Sequence, residues 1–262
     1  MIDRLPKQPD SAPSSPDTYD LSLLDKSADT WARSPALRTV YQSIFADMTN
    51  AAQGSDWLEL GAGAGFFKQF TPNVVTSDIR KTRFVDQAIS AYTIEQSPKT
   101  WDTIFAMDML HHLTQPFRFF KSASKALKPG GKIVLAEPAA TAWGTLFYTL
   151  FHQEPIHPSL IKPPFEFSTD SEGGFANMGM GQALFHQRKS ETQSKLAAIG
   201  LSIKQLKYRD VLAYPATGGL SQRQMLPSRL IQLLLEAEAL LPQAILRLLG
   251  LRMTIVLEKT SR

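Results

Sequence analysis

The chain contains no cysteine. That absence excludes disulfides, thiolate metal sites and cysteine nucleophiles, and it fits a reducing compartment, so a cytoplasmic location is expected. It also lacks any long run of lysine and arginine. Its 28 basic and 24 acidic residues leave a formal charge of +4, too little and too scattered to track a phosphate backbone, so nucleic acid is an unexpected partner. No apolar run is long enough to span a bilayer; the leucine-rich stretch near the end is interrupted by Glu236, Glu238, Pro242 and Arg247. Residues 1–6 have no apolar core of the kind a signal peptide needs. Residues 6–16 are rich in proline, serine and aspartate, so residues 1–18 are expected to form a disordered tail. There is no internal repeat. What remains, 262 residues with 43% hydrophobic content, can bury one large α/β core plus a modest extra layer, and residues 19–262 are read as one domain.

What the chain does have is a glycine pattern. A short apolar strand over residues 57–60 carries Glu59 and runs into Gly61, Gly63 and Gly65, with a helix expected over residues 66–70. Glycine is needed where backbone takes positive φ or where a ligand lies against the main chain. A strand that ends in such a turn is where doubly wound α/β folds place a nucleoside ligand. The dinucleotide fingerprint G-x-G-x-x-G would put its third glycine at position 66, which is Phe66. An acid at Glu59 beside the turn would also repel a pyrophosphate. A neutral or positively charged ligand suits that corner.

The spacing E-x-G-x-G-x-G resembles the first motif of the class I S-adenosylmethionine-dependent methyltransferases, the broad group that includes ubiquinone- and menaquinone-biosynthesis-type enzymes. Downstream residues agree in order and spacing as far as Pro138. A buried strand over residues 74–79 holds Asp78, and residues 84–86 read as a short third strand. Ser90-Ala91 stands where the family usually carries Asp-Ala. A fourth strand over residues 101–108 ends in Asp108, followed by His111 and His112, and a Gly130-Gly131 turn precedes a fifth strand ending in Glu137-Pro138. The resemblance implies a three-layer α-β-α sandwich on a seven-stranded, mostly parallel, Rossmann-like sheet whose last strand is antiparallel. It implies S-adenosyl-L-methionine as cofactor, held by Glu59, Gly61, Ala62, Gly63, Asp78, Ile79, Ser90, Ala91, Met107 and Asp108. In that set Glu59 bonds the cofactor or its amino group, and Asp78 accepts both ribose hydroxyls. Ser90-Ala91 lies at the adenine, and Asp108 touches the methionine moiety or caps the next helix. Glu137 faces the crevice, binding substrate or pairing with a lysine.

Outside that stretch the chain departs from simple strand–helix alternation. A helix is expected over residues 31–51 with Ser34 as cap and Pro35 at its first position, in a place where the resembled family lays a helix over the cofactor. A helix over 190–199 stops at Gly200, and strands follow over 201–208 and 253–258. Two segments, 139–187 and 209–251, are insertions that form a lid and a substrate wall. The first opens with an aromatic helix candidate over 143–151 and continues through His152, Glu154 and His157 to Asn177. The second holds helices over 227–241 and 242–249, read as a core-facing or homodimer-facing pair. Its other reading is a peripheral membrane contact through 225–251, which Arg223, Arg229, Arg247 and Arg252 suit and Glu236 and Glu238 oppose.

Methyl transfer is an in-line displacement at carbon, so the protein must position the acceptor and exclude water. A hydroxyl or acidic carbon acceptor also needs a base. His111, His112 and Glu154 are the candidate catalytic residues, with His152 and His157 as further bases on the lid. Adjacent residues of a helical turn point about 100° apart, so one histidine of the pair faces the substrate, and His111 takes that place. The structural alternative is that both histidines only pack and cap the loop. These groups match no standard ligand spacing, and no metal is expected. The function expected is an S-adenosylmethionine-dependent methyltransferase acting on a small, partly hydrophobic molecule at oxygen or carbon, with a lipid-linked or glycan intermediate among the candidates. The alternative is a regulatory or scaffold protein that binds the same cofactor without turnover.

Overall fold

A computed structural model of the chain describes residues 21–168 and 174–260. The expected tail, residues 1–18, lies outside the described residues. The chain runs α1 (Leu21–Arg33), α2 (Pro35–Ala51), β1 (Trp57–Leu60), α3 (Phe66–Phe70), β2 (Val75–Asp78), β3 (Gln87–Ala88), β4 (Trp101–Met107), α4 (Pro116–Ala126) and β5 (Leu127–Pro138). It continues with α5 (Ala142–Phe151), the short α6 (Met180–Gln182), α7 (Lys189–Ala198), β6 (Leu201–Arg209), the short α8 (Ala213–Ala216), α9 (Ser228–Ala239), α10 (Gln243–Leu249) and β7 (Arg252–Lys259). The seven strands form one sheet in the order β3-β2-β1-β4-β5-β7-β6. The β1, β2, β3, β4 and β5 ladders are parallel, and β7 lies antiparallel between β5 and β6.

Successive strand side chains point to opposite faces of a sheet, and the central strands show it directly. Ile104, Ile133 and Ile255 enter one buried cluster with Phe119, Phe120, Phe185 and Leu196. Their neighbours Phe105, Val134 and Val256 enter a second cluster with Trp31, Leu37, Phe45 and Phe67. Helices therefore cover both faces, which is why these strands read as continuous apolar runs. The three layers are those the sequence implied.

Two local expectations shift. The helix over 31–51 is two helices, because Ser34 takes an extended conformation between them and its hydroxyl accepts from the Leu37 N–H at 3.2 Å, with Pro35 opening α2. The third strand lies at Gln87–Ala88 instead of 84–86. Asp86 turns its carboxylate back to accept from the Thr76 N–H and hydroxyl, at 2.9 and 3.0 Å, so regular pairing with β2 starts only after it.

The inserted segments build the remaining wall. Helix α5 is capped by Thr141, whose hydroxyl accepts from the Gly144 N–H at 2.9 Å. A Cβ at Gly144 would stand 2.0 Å from the Ala139 carbonyl oxygen, so only glycine lets the helix leave β5 this closely. Helix α9 packs on α2 and buries Ile231, while Leu233, Leu240 and Leu248 remain exposed. Glu238, counted among the charges that oppose an apolar contact, turns inward and accepts from the N–H groups of Val211, Leu212 and Ala213 at 2.9, 2.6 and 2.8 Å. Arg252, counted among surface cations, is 4% exposed. No helix among the described residues is long and apolar enough to cross a membrane.

Candidate active site

Two cavities open at the carboxyl ends of the parallel strands, the place where such sheets bind ligands. The first, of about 490 Å³, is lined by the glycine turn, by Asp78 and Ile79 at the end of β2, by Ser90 and Ala91, and by Asp108 after β4. Gly61 and Gly63 have φ of 65° and 51°, which an L-residue adopts only with strain. A Cβ at Gly61 would stand 2.6 Å from the Met109 Cγ, whereas among the described residues one at Gly63 would meet only Leu24, at 3.7 Å. The space beside Gly63 is therefore open for a ligand to approach the backbone. The Gly63 N–H donates to Asp78 Oδ2 at 3.0 Å and the Ile79 N–H to Oδ1 at 2.7 Å, so the carboxylate is fixed on the cavity wall.

Three residues expected at the cofactor, Glu59, Ala62 and Met107, do not line this cavity. Met107 packs into the cluster beneath α2. Glu59 is 5% exposed and its Oε2 has no partner among the described residues. Burial, with the Asp78 charge added, pushes its carboxyl up to about 8, so it is protonated at neutral pH. Leu24 of α1, Arg80, Tyr92 and Met109 are also on the wall, and the sequence indicated none of them. For Arg80 the only signal was its place immediately after Ile79. Leu24 sits on α1, ahead of the helix the sequence indicated.

The second cavity, of about 950 Å³, shares Asp108 and His112 with the first. Trp143, Phe147, Tyr148 and Phe151 of α5 and Tyr214 of α8 supply its aromatic walls. Asp108 has a φ of 51° and accepts from Arg252 Nη1 at 2.5 Å, so it neither caps a helix nor stands unpaired. The guanidinium also lies over the Tyr41 and Tyr214 rings, at 5.9 and 5.4 Å from their centroids.

Where the cavities meet, two expectations are corrected. Glu137 is fully buried and pairs with no lysine among the described residues: Oε1 accepts from the Met109 and Leu110 N–H groups at 3.0 and 2.8 Å, and Oε2 lies 2.7 Å from His111 Nδ1. His111 is 2% exposed and borders only the second cavity, whereas His112 faces both. Both rings nonetheless converge on one group, Glu154, with Nε2–O distances of 3.3 and 3.8 Å. They stand in a tight 3-10 turn, Leu110–His112, with ring centroids 4.2 Å apart, and Glu154 reaches them from the inserted segment. Burial alone would lower the His111 pKa, but the Glu137 and Glu154 carboxylates hold it up at about 10. Burial and the neighbouring His111 charge drive His112 down to about 4. Burial opposes ionisation of Glu154, yet His111 holds its carboxyl at about 2. His152 lines the second cavity, and burial lowers its pKa as well. His157 is on neither wall; its N–H donates to Asn177 Oδ1 at 2.9 Å, and the Asn177 N–H in turn donates to the His111 carbonyl, also at 2.9 Å.

This sheet order, with one antiparallel strand second from the edge and a ligand-sized cavity at the glycine turn, defines a Rossmann-like fold of the methyltransferase type. The family model for a methyltransferase domain matches residues 32–164, about half of the chain, and the chain belongs to that family. Among solved structures it is similar to a SAM-dependent methyltransferase from Thermotoga maritima described as a possible histamine N-methyltransferase. That likeness has a TM-score of 0.51 and 13% identity, covering 91% of this chain and 99% of that one. It is also similar to a SAM dependent methyltransferase from Archaeoglobus fulgidus, with a TM-score of 0.50 and 12% identity over 85% and 94% of the two chains. At such identities the likeness speaks to the fold alone. Curated relatives match over shorter stretches. A tRNA U34 carboxymethyltransferase of Hydrogenovibrio crunogenus is 34% identical over 90 residues, 30% of this chain and 27% of that protein. A ubiquinone biosynthesis O-methyltransferase of Idiomarina loihiensis is 42% identical over 48 residues, 18% and 20% of the two. The matches thus span about a quarter or less of those relatives.

Proposed function

We propose that the protein is an S-adenosylmethionine-dependent methyltransferase whose acceptor is a small, partly hydrophobic molecule methylated at oxygen or carbon. The observation that carries this reading is the pair of adjoining cavities: a glycine-turn cavity of about 490 Å³ and an aromatic one of about 950 Å³ that share Asp108 and His112. The residues present fit the cofactor. The open space beside Gly63 admits a nucleoside against the backbone, and Asp78 keeps unused lone pairs for ribose hydroxyls. Ser90 and Ala91 line the same wall for the base, and Asp108 stands toward the junction with the second cavity. Bound there, S-adenosylmethionine supplies a methyl group activated by a positively charged sulfur.

The chain's own residues position the acceptor and manage its proton. Trp143, Phe147, Tyr148 and Phe151 form an apolar wall that orients a partly hydrophobic acceptor and keeps water out. His112 Nδ1 lies 3.3 Å from the Phe175 carbonyl oxygen, which holds Nδ1–H as donor and leaves Nε2 unprotonated and able to take a proton beside Glu154. As a hydroxyl is alkylated its proton becomes strongly acidic, so even a weakly basic imidazole takes it. The ionised Glu154 then faces the imidazolium formed at His112. The matching segment of the tRNA-modifying relative does not alter the small-molecule reading, because this chain presents no basic run to follow a nucleic acid backbone.

Calorimetry with S-adenosylmethionine and S-adenosylhomocysteine tests the reading: both are expected to bind. Asp78→Ala should weaken binding by about 1.5–3 kcal/mol. Absence of binding to either compound would sink the proposal, and unchanged affinity in Asp78→Ala would remove the ribose assignment.

A further inference from the structure

The separations around Glu154 are longer than those of charge-assisted hydrogen bonds. Charge-assisted N–H···O contacts close to about 2.7–2.9 Å, yet Glu154 Oε2 stands 3.3 Å from His111 Nε2, and Oε1 stands 3.8 Å from His112 Nε2. Ligands at about 2.0–2.1 Å from one ion, arranged near-tetrahedrally, sit about 3.3–3.4 Å from one another. A ligand atom from each of His111, His112 and Glu154 lies within 4.8 Å of the others, so a modest closing of the two rings completes such a set.

The far side of each imidazole is arranged to match. His111 Nδ1 lies 2.7 Å from the fully buried carboxylate of Glu137, and His112 Nδ1 lies 3.3 Å from the Phe175 carbonyl oxygen. Ligand histidines characteristically donate their other N–H to a carboxylate or a backbone carbonyl, which fixes the tautomer and aims Nε2 at the ion. Glu137 is itself held by two backbone N–H groups, so the carboxylate that orients His111 is fixed in turn. His111, His112 and Glu154 all border the aromatic cavity, which leaves further coordination positions open to it.

We infer that the protein binds one divalent transition-metal ion, of the zinc class, through His111 Nε2, His112 Nε2 and the Glu154 carboxylate. Two imidazoles and one carboxylate form a donor set of borderline hardness, suited to Zn(II), Co(II), Mn(II) or Fe(II) and not to calcium or magnesium. Residue spacing carried no hint of it, because Glu154 comes from the inserted segment and meets the histidine pair only in space. Metal binding stands on this geometry alone. That the open positions receive an oxygen of the methyl acceptor rests on the proposed methyltransferase reading; with the ion bound, His112 is a ligand and no longer a free base.

The test uses the full, untagged chain after chelator treatment, titrated with Zn(II) by calorimetry and with Co(II) by visible absorption. One ion per chain is expected, with ligand-field bands from nitrogen and oxygen donors. Glu154→Gln, close in shape to the native residue, and His112→Ala should each weaken binding at least about tenfold, and Glu137→Gln about 10–100-fold. His157→Ala, outside the cluster, should bind as the parent does. Circular dichroism and S-adenosylmethionine calorimetry on each variant establish that it is folded. No stoichiometric uptake by the parent, or full uptake by the doubly substituted His112→Ala/Glu154→Gln protein, overturns the inference. Cofactor binding without metal uptake overturns the metal site alone, whereas metal uptake without cofactor binding supports the site and removes the methyltransferase reading.

Discussion

The two cavities that meet at Asp108 and His112 are built in different ways. The donor side comes largely from consecutive strand ends and the turns after them, so its parts follow one another in the chain between Leu60 and Thr114, with α1 and Phe175 laid across. The aromatic cavity, the proposed acceptor side, draws on α2, the β4 turn, α5, the segment through Glu154, α8 and the start of β7, which are far apart in sequence. Backbone geometry dominates the first and side-chain packing the second. A glycine turn and a carboxylate fixed by two N–H groups can hold a cofactor whatever covers them. The aromatic wall depends on how an inserted helix leaves β5.

Breaking the shared corner should have the largest effect. His112→Ala is expected to slow turnover about 10²–10⁴-fold while donor affinity stays within about threefold. Steady-state kinetics beside S-adenosylmethionine calorimetry separates the two, and an unchanged rate would return His112 to a packing role.

The donor side should respond to pH through Glu59. Its carboxyl rises on folding from an ordinary 4.5 to about 8 because burial, and then the Asp78 charge, disfavour the ionised form. The folded state therefore binds more protons than the unfolded one between those values, and the stabilisation present below about pH 4.5 is lost as pH rises toward 8. Glu59→Gln stays neutral and should lessen the fall in stability between pH 5 and pH 8 by about 2–4 kcal/mol. Urea unfolding of the ligand-free proteins at both pH values measures this, and equal falls would mean Glu59 ionises freely.

The smallest change should mark the division between the two sides most cleanly. Gly144→Ala places a methyl against the Ala139 carbonyl, so α5 must shift, at a cost of about 1–3 kcal/mol. Acceptor KM should rise with donor affinity unaltered; donor affinity falling in parallel would show that the two cavities are one mechanical unit.

The donor side is largely legible in the order of its residues. Gly61, Gly63, Asp78, Ile79, Ser90, Ala91 and Asp108 all line the cavity, because strand-end turns keep functional residues at fixed spacing from the apolar runs that position them. Glu59 departs from that pattern for a physical reason: strand alternation and burial put its side chain inside, where it stays protonated. The third strand slips past its expected position because Asp86 spends its carboxylate on Thr76. That both His111 and His112 border the aromatic cavity was not legible, since helical geometry says how adjacent residues diverge and nothing about the Glu137 and Glu154 carboxylates that approach from β5 and the inserted segment.

The sequence by itself determined most of the apolar strands and the glycine turn with Asp78 behind it. These rest on local periodicity and on φ values that only certain residues adopt. Tertiary structure alone decided that Arg252 would be buried against Asp108, that Glu238 would cap α8 rather than face solvent, and that Glu154 would close on the histidine pair. Each of those depends on a charge finding its partner across the fold. Burial makes an unpaired charge costly, and chain order does not say which partner will arrive.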